Sequence, residues 1–95
     1  MTITIDLEET ACKVALDSPV EEPDPATHAA IERAPTITAG IDLRRGRRVT
    51  CTLAEAKNML DYFERAAGHL QVRGEYEKST ACARAIVNIR RALQR

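Results

Sequence analysis

The sequence predicts an α+β fold, a small antiparallel sheet carrying a C-terminal antiparallel hairpin of two helices. Three observations lead there. Thr52-Leu53-Ala54-Glu55 has the form of a capping box, in which the Thr hydroxyl accepts from the Glu55 amide while the Glu carboxylate reaches back to the Thr amide. Behind it Leu53, Ala56, Leu60, Phe63, Ala67 and Leu70 alternate spacings of three and four, one continuous helical stripe, and after Gly74 the pattern resumes at Ser79, Cys82, Ile86, Ile89 and Leu93. Upstream, Thr2 to Leu7 alternates polar and apolar in the manner of a half-buried strand.

Taken in order, Ile3, Ile5 and Leu7 form the inward set of the first strand. Residues 8–17 admit two readings. Asp6-Leu7-Glu8-Glu9 has capping-box form and would open a short helix with Leu7, Ala11, Val14 and Ala15 on one side; alternatively, Ala11 to Leu16 alternates as a second strand of a hairpin. An internal echo favours the helix, since Ile3-Thr4-Ile5-Asp6-Leu7-Glu8-Glu9 matches Val49-Thr50-Cys51-Thr52-Leu53-Ala54-Glu55 in pattern. Residues 17–25 read as an acidic loop whose three prolines fix φ and remove donors. Asp24-Pro25 then opens a short helix through Ala30 and Ile31, ended before Pro35.

Thr36 to Cys51 is expected to be a β-hairpin turning at Arg45-Gly46-Arg47. A three-residue loop would pair Leu43 with Val49 and Ile41 with Cys51 on one apolar face, and a one-residue slip would turn that set outward. Arg44 and Arg48 would then occupy the wet face beside Arg45 and Arg47 at the tip, a cluster of four guanidiniums. Residues 52–94 complete the chain as the helical hairpin, and the whole of 1–95 is read as one domain, as its length implies.

With one Phe, two Tyr and no Trp, the core must be filled by aliphatic residues and many Ala, which bring helices close but bury little area each. A second copy would supplement such a core, so a homodimer is expected. The partner-facing apolar surface would draw on Phe63, Ala67 and Leu70 of the first long helix and Ala83, Ile86, Val87 and Leu93 of the second. Thr80, Ala83 and Val87 widen the second stripe beyond what one seam needs, and such hairpins often complete a four-helix bundle with another copy.

The net charge of zero hides a division. Residues 1–43 hold nine acids against two bases, and residues 44–95 hold twelve bases against five acids. Folding that neutralises one half against the other is the favoured reading, and two partner-facing surfaces of opposite sign the alternative. The Arg44–Arg48 cluster, supported by Arg84, Arg91 and Arg95 on one stripe of the last helix, would suit phosphate through bidentate charge-assisted bonds. No aromatic residue lies in the cluster to stack on bases. A strand followed by two helices, with arginines on the strand, is similar in layout to the ribbon-helix-helix arrangement, whose dimers lay a paired strand in the major groove. The helices here, about twenty residues each by their stripes, are longer than that motif uses, and the strand has its own upstream partner. The chain is therefore not assigned to that family.

Three widely spaced cysteines, with no C-x-x-C, point to free thiols in a reducing compartment. No apolar run approaches the ~20 residues of a membrane span, and the first residues lack a secretory pattern, so a cytoplasmic protein is expected. His28 and His69 accompany no nucleophile motif, and the Cys and His spacings fit no metal pattern; no metal, no cofactor and no catalysis are expected. The function expected is that of a non-enzymatic interaction protein that occludes a surface of another macromolecule, of the kind common among phage and mobile-element inhibitors of host nucleoprotein machines. The alternative is a nucleic-acid-binding regulator using the seven arginines.

Overall fold

A computed structural model describes residues 1–17, 25–39 and 44–94. The side chains of Ala39 and Arg44 lie outside that description. The fold is α+β, with a three-stranded antiparallel sheet and four helices: β1 (Thr2–Glu8), α1 (Glu9–Leu16), α2 (Pro25–Glu32), β2 (Thr36–Ala39), β3 (Arg44–Thr52), α3 (Leu53–Val72) and α4 (Tyr76–Leu93).

The sheet order is β1-β3-β2, so β3 is central. The two segments that echo each other in sequence pair with each other, Ile5 opposite Val49 and Ile3 opposite Cys51. Opposed residues share a face, and this pairing collects Ile5, Leu7, Val49 and Cys51, all buried, on the side the helices cover. Thr2, Thr4, Thr50 and Thr52 stand on the other side, exposed. The alternation expected of a half-covered antiparallel sheet is therefore realised between β1 and the paired part of β3 from Arg48 to Thr52.

The expected turn at Arg45-Gly46-Arg47 is corrected. Those residues lie inside β3, where Thr36 pairs with Arg47, Ile37 with Gly46, Thr38 with Arg45 and Ala39 with Arg44. Val49 and Cys51 stand opposite Ile5 and Ile3 of β1, and their expected partners Leu43 and Ile41 lie among residues 40–43, outside the described residues. Local pattern offers Val49 and Cys51 apolar partners only within the hairpin, but Ile5 and Ile3, forty-odd residues upstream, are the ones β1 sets opposite them. Gly46 is there for close approach: a Cβ built on it would collide with the Leu7 carbonyl oxygen and stand 3.3 Å from Glu8 Cα.

The open question over residues 8–17 resolves as a helix directly after the strand. It does not use the capping box suggested at Asp6. The N-cap is Glu8, with no side-chain cap bond, because Asp6 remains in β1 opposite Arg48. At Thr52 the box forms as expected, with Thr52 N donating to Glu55 Oε1 at 2.8 Å and Glu55 N donating to Thr52 Oγ1 at 3.1 Å. The short helix at Pro25 also forms, burying Thr27, Ala30 and Ile31. The acidic stretch 18–24 lies outside the described residues.

α3 and α4 pack together through a turn at Arg73–Glu75, with Gly74 at φ 79°. Glu75 N donates to Leu70 O at 2.9 Å, a wrap-back bond that satisfies a carbonyl the helix end would leave bare. The stripes are rotated from expectation. α3 buries Ala56, Met59, Tyr62, Phe63, Ala66 and Leu70, while Leu53 is exposed and Leu60 and Ala67 are half-buried. α4 buries Ala81, Cys82, Ala85, Ile89 and Ala92 and leaves Ile86 and Leu93 half-covered. The rotation follows from a third partner: α4 meets β1 and α1 as well as α3, so its buried arc spreads toward the sheet. Tyr62 and Phe63 meet edge to face, ring centroids 5.2 Å apart, and the Tyr62 hydroxyl donates to Val14 O at 3.2 Å, joining α3 to α1.

Candidate functional site

The described arginines among those singled out in the sequence are divided between the two faces of β3 and the length of α4. In a strand, successive side chains point to opposite faces, so β3 splits them. Arg47 lies on the helix-covered face, half-buried, and its Nη1 donates to three carbonyls at the end of α2: Ile31 O at 3.1 Å, Glu32 O at 2.7 Å and Ala34 O at 3.3 Å. This is a cap made from a distant strand, filling acceptors that a helix C-terminus leaves without partners. Arg48 stands on the open face and binds its cross-strand neighbour through two bonds, Nε to Asp6 Oδ1 at 2.9 Å and Nη2 to Asp6 Oδ2 at 3.2 Å. The hydrogen bond and charge of Asp6 raise the Arg48 pKa above its ordinary value.

Arg84 of α4 grips Glu8 in the same bidentate way, Nε to Oε2 at 3.0 Å and Nη2 to Oε1 at 2.9 Å, and the bond to Glu8 raises its pKa. One turn on, Asn88 Nδ2 donates to the backbone carbonyl of Asp6 at 3.1 Å. Both contacts run from α4 to β1, an edge strand, and Asn88 satisfies one of the backbone acceptors such an edge presents. The acidic N-terminal half and basic C-terminal half thus neutralise each other at Asp6–Arg48 and Glu8–Arg84, the internal complementarity favoured from charge alone. Arg45 and Arg91 are exposed and have no partner among the described residues. The side chains of Arg44 and Arg95 lie outside the described residues.

The residues expected to face a partner also divide. Phe63 and Leu70 are completely covered inside the chain's own core and are not available to a second molecule. Ala67, Ile86 and Leu93 are half-buried where α3 meets α4. Ala83 and Val87 are exposed, Val87 at 45 %. Tyr76, 66 % exposed and not among the residues expected to face a partner, joins them on the outer side of α4 with Thr80. Spacing alone separates Tyr76, Thr80, Ala83 and Val87 (steps of four, three and four) as a second seam, but only packing reveals which of the two seams on α4 faces inward.

A recess of about 220 Å³ opens between α1 and the β2–β3 side of the sheet, lined among others by Glu9, Cys12, Lys13, Asp17, Arg45 and Arg47. Its charges are mixed, and Lys13 is already 3.3 Å from Glu9. Burial pushes the Cys12 thiol up to about 11, with the Arg47 charge opposing, so it is protonated at neutral pH and a poor nucleophile. Cys82 is likewise pushed to about 11 by burial and then by Glu8, and Cys51 is raised by burial and then by Glu55. All three are free and buried. Among the described residues no His, Cys, Asp and Glu converge as a metal site, and no helix is long and apolar enough to cross a membrane. Comparison with protein-family models, with curated proteins and with solved structures gives no match.

Proposed function

We propose that the protein is a non-enzymatic interaction module, working as a homodimer, that acts by covering a surface of another macromolecule. The observation that supports this reading is the open face of the sheet. Helices cover one side only, and on the other Thr2, Thr4, Thr50 and Thr52 stand exposed around the Asp6–Arg48 pair. Cross-strand pairing holds that array rigid, with the Thr4 and Thr50 hydroxyls 3.5 Å apart, so its hydroxyls are presented to a partner in fixed positions. An exposed hydrogen-bonding face of this kind suits macromolecular contact better than enclosure of a small substrate. Large nucleoprotein assemblies, the targets of many small inhibitors from phages and mobile elements, are the partner class proposed.

The test is capture from the native source with the wild-type chain and with Thr4→Arg/Thr50→Arg, two exposed changes. The expected result is a partner retained by the wild type and lost from the variant. A partner retained equally by both removes the sheet face from the proposal.

The alternative, a nucleic-acid-binding regulator, loses Arg47, Arg48 and Arg84 to intramolecular partners. It predicts duplex binding that weakens steeply with salt, in proportion to the phosphates neutralised. No binding at low salt disposes of it.

A further inference from the structure

We infer that the outer side of α4 is the self-association face, packing antiparallel against α4 of a second copy about a twofold axis near Ala83 and Val87. The inference rests on the homodimer reading above and assigns it a surface and a register. Tyr76, Thr80, Ala83 and Val87 lie on one side of the helix, all exposed, opposite the arc that buries Ala81, Cys82, Ala85 and Ile89. Continued, the seam reaches Arg90 and Gln94, so its steps alternate four and three over the whole helix, the repeat that lets two helices stay in contact along their length. The small side chain of Ala83 permits close approach of the axes.

Charge complementarity selects a second copy as the occupant. α4 is acidic near its start, at Glu77, and basic near its end, at Arg91. Both are exposed, and neither has a partner among the described residues, whereas Arg84, Asn88 and Arg90 are occupied by Glu8, the Asp6 carbonyl and Glu64. An antiparallel twofold midway between positions 83 and 87 places Val87 over Ala83 of the other copy, twice. The same axis brings Tyr76 toward Gln94 and Glu77 toward Arg91 on the same flank, because the members of each pair stand nearly equal distances from the centre at a uniform rise per residue. A parallel arrangement would set Arg91 against Arg91 and Glu77 against Glu77. The helix is thus self-complementary in one direction only, as an isologous contact requires.

A single helix pair falls in the smallest class of interfaces, so the expected dissociation constant is on the order of ten to a hundred micromolar. Sedimentation equilibrium on the full chain over a range spanning that value tests the assignment. Val87→Lys, at the centre, should weaken dimerisation by roughly a hundredfold, as truncation or charging of a central contact commonly does. Glu77→Arg and Arg91→Glu should each weaken it by about fivefold through two like-charge contacts. An equimolar mixture of those two variants should associate as well as the wild type, since both flanking pairs are again opposite in sign. Loss in each variant alone together with recovery in the mixture is specific to the antiparallel register, because in a parallel pair the wild type already sets like charges together and neither change alone adds a like-charge contact. All three positions are exposed, and unchanged far-UV circular dichroism and melting midpoints show that the fold is intact.

A wild-type dimer indifferent to every one of these changes overturns this face while leaving the homodimer reading standing. A wild type that stays monomeric at several hundred micromolar, well above the expected constant, overturns both. A monomer whose capture of a different protein is lost in Val87→Lys gives the face to another partner and overturns the second copy as its occupant.

Discussion

One substitution, Gly to Ala, made at three positions, should give three different answers. At Gly46, in the central strand, the added methyl meets the Leu7 carbonyl oxygen, and both contacting groups belong to the backbone of β1, where no flexible side chain can yield. Relief requires β1 to move away from β3 around the pairs Leu7–Arg47 and Glu8–Gly46. Weakening about two ladder hydrogen bonds, at about 1 kcal/mol each, and disturbing the packing of fully buried Leu7 gives a loss of about 2–4 kcal/mol. At Gly68, inside α3 and exposed, nothing lies within 4 Å of the new methyl. The gain there is the helix preference of Ala over Gly, about 0.5–1 kcal/mol of added stability. Gly74 also has open space, but its φ of +79° is one that L side chains rarely adopt, so Ala should cost about 1 kcal/mol despite the room. Urea unfolding followed by circular dichroism separates the three, and thermal midpoints should differ by about 4–8 °C for each kcal/mol in a domain of this size. If Gly46→Ala proves as stable as the wild type, β1 and β3 are not pressed together at this register, and the sheet order and the site built on Asp6 and Glu8 fall with it.

Arg47→Ala should destabilise by about 2 kcal/mol, because three carbonyls at the end of α2 lose a charged donor; Arg47→Lys should recover only part, an ammonium lacking the planar fork, and thermal melts rank the three. Thr52→Ala removes the hydroxyl that accepts from Glu55 N and should cost about 1 kcal/mol, read as a lower urea midpoint at unchanged slope. Alkaline pH should destabilise the fold through its thiols. Cys12 and Cys82 hold their protons to about 11 when folded and ionise near 9.0 when unfolded, so the unfolded state binds fewer protons between those values. Stability is full below pH 9 and falls as pH rises toward 11, by up to roughly 3 kcal/mol per thiol, and Cys12→Ala with Cys82→Ala should flatten that limb of a pH–stability curve.

Short-range chemistry makes several elements of this fold legible from neighbouring residues alone. The capping box at Thr52 forms because its two partners lie three residues apart, and the first strand, the short helix at Pro25 and the turn at Gly74 follow from equally local signals. The division of charge between the two halves was also legible, and its internal pairing was favoured from the charge totals alone. Where each periodic surface points is set by contacts between elements distant along the chain. Arg45, Gly46 and Arg47 belong to β3 and not to a hairpin tip because Thr36, Ile37 and Thr38 pair with them, a register that no local rule fixes. The same alternation that makes Val49 an inward residue carries Arg47 under α2 and turns Arg48 outward to Asp6, so two arginines adjacent in sequence stand on opposite faces of the sheet. On α4 two seams repeat with helical spacing, and the sheet, by taking the one through Cys82 and Ile89, leaves the one through Ala83 and Val87 in water. Periodicity specifies that a face exists; which face is buried depends on the element that competes best to cover it, a choice made by contacts far apart along the chain.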